Sequence, residues 1–248
     1  MLQRGLLKVG RTVFLQGAIV SSVAIVAGLG NGSGTGGAAA YEGYAVALIS
    51  WGSESLNALA SSIKESGGQA HTFPVPPYGP DEIAAAFSAI HEQYPSPEYA
   101  IKVAIFNIGQ TVGGPFLQLT AEDIRESNQM NIESSFALRN EAATSTGKGT
   151  LVFTGATASV RGNVTTSGFA SGKFAVRALA QSLAKEFGKE DIHLGVATGN
   201  VRGDRNTLSS GPLKLSPESI TAAYLFLVNQ DRAAWTWELD LRPAHEKW

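Results

Sequence analysis

The chain has 248 residues, 44% of them hydrophobic and 16% charged, with a formal net charge of −2. That length supports a core that needs no covalent staple, and the charge builds no basic field for nucleic acid. The absence of cysteine excludes disulfides, thiolate nucleophiles and cysteine-based metal sites. The four histidines, His71, His91, His193 and His245, lack ligand spacing such as H-E-x-x-H, so no metal is expected.

Residues 1–41 contain no Asp or Glu. On a helical wheel Arg4, Lys8 and Arg11 share a face, with Leu2, Leu6, Val9 and Val13 opposite. A basic, amphipathic, acid-free leader over residues 1–21 matches an organelle transit peptide, with the mitochondrial matrix as its address. Gly5, Gly10 and Gly17 interrupt the helix, and the alternatives are an unstructured leader or a docking helix on a cytoplasmic protein. The apolar run of residues 17–29 is short and passes into glycines, so no membrane span is expected.

From there the elements alternate. Residues 21–30, "SSVAIVAGLG", read as a buried strand, followed by a glycine turn and a small-residue helix. Further strands are expected at residues 43–50, 69–75, 100–109, 149–156 and 192–199, with a last alternating one at 235–242. Helices are expected at residues 53–66, 81–94, 121–144, 165–187 and 217–230. Strands alternating with helices specify one α/β domain over residues 22–248, a Rossmann-like, doubly wound sheet of about seven mostly parallel strands.

Gly28, Gly32 and Gly34, with Ser33 between the last two, follow the first strand directly. Glycines there permit a tight turn and close approach of a pyrophosphate to backbone N–H groups at a helix start. A dinucleotide is the expected ligand.

The residues "AGLGNGSG", "FNIG", Asn131 in "QMNIESSF", "LVFTGATASVRG" and "FASGKFAVRALAQSLAKEFG" resemble the short-chain dehydrogenase/reductase family. With "ELDLRP" they are similar to an atypical fungal and bacterial branch of it. The resemblance implies an NAD(P)-binding oxidoreductase. Gly28, Gly32, Ser33, Gly34, Asn107 and Gly109 then belong to the cofactor site. Lys173 would hold the nicotinamide ribose and Asn131 a water that relays protons.

Two functional groups of that family are replaced. Phe169 stands one helical turn before Lys173, where the family has its proton-donating tyrosine, and Ala156 stands at the serine position. Thr157 is the candidate substitute for the serine, with Ser159 nearby, and Lys173 the candidate acid in place of the phenol. The strand that carries the family's ribose-binding acid ends in Ser50, followed by Trp51. Without a carboxylate to repel a 2′-phosphate, NADP(H) is slightly favoured over NAD(H). Pro76 replaces an adenine-contacting aspartate, and "ATGNVRGD", with Thr198, replaces a Pro-Gly segment.

Two functions are consistent with this pattern. One is an oxidoreductase of noncanonical mechanism, acting on an activated small molecule such as an iminium. The other is a catalytically silent structural or regulatory subunit that binds no cofactor. Helices at residues 121–144 and 169–188 resemble those that pair in family dimers, so a homo-oligomer is expected, or a larger complex if the site is silent.

Overall fold

The computed structural model describes residues 13–15, 18–29, 43–76, 78–109, 112–146, 148–199, 215 and 217–243. Strands β1 (Val13–Leu15), β2 (Ala18–Ala27), β3 (Ala45–Ser50), β4 (Gln69–Pro74), β5 (Tyr99–Phe106), β6 (Gly149–Thr154), β7 (Ile192–Gly199) and β8 (Glu238–Leu241) form one sheet. Its order is β4-β3-β2-β5-β6-β7-β8 with every pair parallel, and β1 lies antiparallel beside β2. The helices are α1 (Ser53–Glu65), α2 (Pro80–Gln93), α3 (Ala121–Asn128), α4 (Ser134–Thr146), α5 (Ser167–Phe187) and α6 (Pro217–Val228).

The apolar runs are continuous because the sheet is covered on both faces. Along β2, Val23, Ile25 and Ala27 enter one core with Phe87 of α2, Leu138 of α4 and Val176 of α5. Ala24 and Val26 enter the other, with Leu56 and Ile63 of α1 and Tyr224 and Leu227 of α6. All five β2 residues are fully buried. Helix starts follow local chemistry: Pro80 opens α2 with Asp81 and Glu82 in its first turn, and Thr120 and Asp123 form a reciprocal capping box on α3. The neighbours of β2 are β3 on one side and β5 on the other, so strand order reverses there. Such a reversal opens a crevice at the carboxyl ends of the strands, the usual place for a ligand in an open α/β sheet.

Three expectations change in detail. Strand β2 begins at Ala18, inside the stretch assigned to the leader, and Val13 pairs with Val20, so strand geometry replaces the helix expected through Val13. Residues 1–12 lie outside the described ones. The single helix expected at residues 121–144 is instead α3 and α4 joined by a π-helical turn, Gln129–Glu133. The last strand covers only Glu238–Leu241; ahead of it the Thr236 N–H donates to Gln230 Oε1.

Candidate active site

Parallel β2 and β5 are held together past their ends. The Asn107 N–H donates to the Ala27 carbonyl at 2.7 Å, and Asn107 Nδ2 to the Gly28 carbonyl at 2.6 Å. This approach leaves no room for a side chain: a Cβ at Gly28 would stand 2.4 Å from the Ile108 nitrogen, and its φ of +92° is a glycine conformation. Gly28 and Asn107 thus shape the crevice by bracing it. Gly32, Ser33 and Gly34 lie outside the described residues.

Lys173, on α5, is buried and reaches across to the ends of β5 and β6. Its ammonium donates to the carbonyls of Thr154 at 3.0 Å and Ile108 at 3.3 Å. Burial lowers its pKa from 10.5 to about 8. An ammonium has three donors and two go to these carbonyls, so the protonated form keeps one more hydrogen to give.

Asn131 is fully buried in the π-helical turn. Its Nδ2 donates to the Ser127 carbonyl at 2.9 Å and reaches the Ser127 hydroxyl at 3.3 Å, while its Oδ1 has no hydrogen-bond partner. The extra residue of a π turn displaces the helix register locally, a device found often at functional sites. Gly109 closes the group. A Cβ there would lie 3.0 Å from Lys173 Nζ and 3.6 Å from Asn131 Oδ1. Lys173, Asn131 and Gly109 therefore converge on one point, with a spare donor and a spare acceptor, and the lack of a side chain at Gly109 is what lets Lys173 fit there.

Phe169 lies on the same helix as Lys173, half-buried, and its backbone N–H is bonded to the Val112 carbonyl at 3.0 Å. No phenol oxygen stands at this position. Ala156 is followed by a 3-10 turn, Thr157–Ser159. The Ala156 N–H donates to Ser159 Oγ at 3.0 Å, so the buried Ser159 serves the turn. Thr157 Oγ1 accepts a 2.6 Å hydrogen bond from Arg242 Nη1, and the Arg242 Nε donates to Asp240 Oδ1. That bond ties the turn to the end of β8, which the sequence did not suggest.

The Ser50 hydroxyl is buried and donates to the Leu29 carbonyl at 2.7 Å, so it is turned into the fold. Trp51 is 66% exposed. Its backbone N–H donates to the Tyr78 hydroxyl. Tyr78 escaped the sequence reading; the available signal was an aromatic two residues past Pro76 and just ahead of the Gly79-Pro80 helix start. The side chain of Thr198 lies outside the described set, as do residues 200–214.

The described residues fit the nicotinamide end of a dinucleotide: the orphaned Asn131 oxygen and the spare Lys173 donor meet there beside Gly109, where no side chain stands. Among the described residues no cluster suited to a metal ion is present, and no helix is long and apolar enough to cross a membrane.

A family model described as short chain dehydrogenase matches residues 22–209. A 3alpha-hydroxysteroid dehydrogenase of Mediterraneibacter gnavus is 26% identical, the match covering 88% of this chain and 94% of the relative. A short-chain dehydrogenase structure from Rhodopseudomonas palustris is 30% identical with a TM-score of 0.78, covering 90% of this chain and 98% of the other. A metagenomic short-chain oxidoreductase in complex with NADP is 20% identical with a TM-score of 0.77, covering 91% and 99%, a likeness of fold.

Proposed function

This chain belongs to the short-chain dehydrogenase family, and we propose that it is an NAD(P)(H)-dependent oxidoreductase of noncanonical mechanism, with Lys173 as its proton donor. The observation that carries the reading is the meeting of Lys173, Asn131 and Gly109 at one point, with a half-buried Phe169 one helical turn before Lys173. Asn131 and Gly109 would border the nicotinamide ribose, leaving the remaining Lys173 hydrogen for the substrate, and the glycines Gly32 and Gly34 would hold the pyrophosphate. A reduced nicotinamide bound there supplies hydride.

The chain's own residues restrict what can accept it. A carbonyl oxygen gains negative charge as it is reduced and needs a donor in place. Phe169 and Ala156 have no hydrogen to give. Lys173 keeps one, and its lowered pKa favours giving it near neutral pH. A substrate already positively charged at the accepting group, such as an iminium, needs no such donor. Activated, electron-poor acceptors therefore suit this site better than simple ketones.

The same replacements support a second reading, a catalytically silent subunit that keeps the fold for assembly. Titration of the full chain with NADH and NADPH, followed by thermal stabilisation or tryptophan quenching, separates the two. Binding of either cofactor, with hydride delivered to a cyclic iminium faster than to ketones, supports the oxidoreductase. A folded protein that binds neither supports the silent subunit.

A further inference from the structure

Two cations grip the turn that follows β6. From α5, the Lys173 ammonium donates to the Thr154 carbonyl at 3.0 Å. From the other side Arg242, the residue after β8, donates from Nη1 to Thr157 Oγ1 at 2.6 Å. Strands β6, β7 and β8 run parallel, so both grips lie at the carboxyl edge of the sheet, where an open α/β fold binds its ligands. The Arg242 side chain is 11% exposed, and its Nε pairs with Asp240 Oδ1 at 2.8 Å. A guanidinium is planar, so that pairing also fixes the direction in which Nη1 points.

Arginine donates and never accepts, so the hydrogen of the Thr157 hydroxyl cannot go to Arg242. Among the described residues that hydrogen has no acceptor. A hydroxyl that accepts from a charged donor is polarised, and gives its own hydrogen bond more strongly. Thr157 is half-buried and directly follows Ala156, which has no hydroxyl. We propose that Arg242 is a positioning residue for the reaction: it turns the Thr157 hydrogen away from the fold, toward the oxygen of a carbonyl substrate. The inference rests on the oxidoreductase reading above and narrows its substrate class to activated carbonyls, such as a 1,2-diketone. The carbonyl carbon gains the hydride and the π pair moves onto oxygen, which takes its proton from the Lys173 ammonium. Thr157 holds that oxygen by a hydrogen bond and keeps its own proton, and the products are a hydroxyketone and oxidised cofactor.

The test compares reduction of a 1,2-diketone and of a cyclic iminium by the full chain, with NADH or NADPH, in the wild type and in variants of Thr157 and Arg242. The iminium has no oxygen at its accepting carbon, so the ratio of the two kcat values isolates the Thr157 contact from general damage to the site. Thr157→Val should lower the diketone-to-iminium ratio about 10²-fold, the scale of one oxyanion donor, and Thr157→Ser should keep most of it. Arg242→Met should lower the ratio about tenfold, and Arg242→Lys, which restores one charged donor, should recover part of that. Cofactor dissociation constants, measured in parallel, should move less than about twofold, which places the loss at the substrate. Arg242→Lys and the nearly isosteric Thr157→Val keep the test open if Arg242→Met folds poorly. An unchanged ratio in folded variants of either residue overturns the proposal, as does a wild type that reduces the iminium and leaves the diketone untouched. A folded wild type that binds neither cofactor instead overturns the oxidoreductase reading, and this inference with it.

Discussion

Gly172 lies so close to Asn131 that a β-carbon at position 172 would stand 2.9 Å from the asparagine's own Cβ. The π-helical turn and α5 meet there with only backbone on one side. Gly172→Ala should therefore push the turn away and lower stability by about 1–3 kcal/mol, as overpacking does. Gly162, where an added Cβ meets nothing within 4 Å, is the control, and Gly162→Ala should change stability by less than about 0.5 kcal/mol. Chemical denaturation of both variants decides it, and equal midpoints would contradict the close contact.

Gly28 and Gly32 should fail differently. Gly28→Ala meets the backbone of Asn107 and Ile108 and takes a φ of +92°, so it should destabilise the whole protein, by more than about 3 kcal/mol. If the glycine turn holds the pyrophosphate, Gly32→Val should leave a folded protein that no longer binds dinucleotide, because a side chain would fill the pyrophosphate's place. Melting curves with and without cofactor separate the two outcomes. Wild-type affinity in folded Gly32→Val would remove that glycine from the site.

Lys173 links stability to pH. Its folded pKa of about 8 lies below the ordinary 10.5, so between those values the unfolded chain binds more protons than the folded one. Its contribution to stability therefore rises with pH through that window, by an amount on the order of 1–3 kcal/mol. Lys173→Met lacks this term. The wild type should gain on it steadily from pH 8 to pH 10.5 in paired denaturation curves, and a flat difference would mean that the ammonium is not desolvated. Reduction of carbonyls that depends on this proton should fall as pH rises through about 8.

Restoring a phenol tests the missing donor. Phe169→Tyr places it one turn from Lys173, whose positive charge favours the phenolate. Loss of a general acid typically costs ~10²–10⁴-fold, but the gain from tyrosine alone should be small, roughly tenfold, because Ala156 still leaves the substrate oxygen unheld. Adding Ala156→Ser should raise it further and non-additively, since both groups act on one atom. The assay is NADH and NADPH oxidation against small ketones. If cofactor binds and the double variant gains nothing, the missing-donor account is wrong.

The leader makes a separate prediction. If it directs import, mature protein from the mitochondrial matrix should begin ahead of Val13, since that residue opens the strand paired with β2. An intact Met1 on protein from its native compartment would favour the docking helix or a cytoplasmic location.

Sequence alone determined what is periodic or local. The buried runs of β2, β3 and β5 were legible because strands covered on both faces must be apolar throughout, and Phe169 and Lys173 were legible as neighbours because helical spacing is set by backbone geometry. Tertiary structure decided which polar groups remain available. Ser50 looked open to a ribose until Leu29 and Tyr78, distant in the chain, took its hydroxyl bonds. Thr157 looked free until Arg242 reached it from the last strand, and Gly172 carried no signal until Asn131 packed against it. A hydroxyl binds whichever partner the closed fold sets within about 3 Å, and a short stretch of sequence holds no record of that distance.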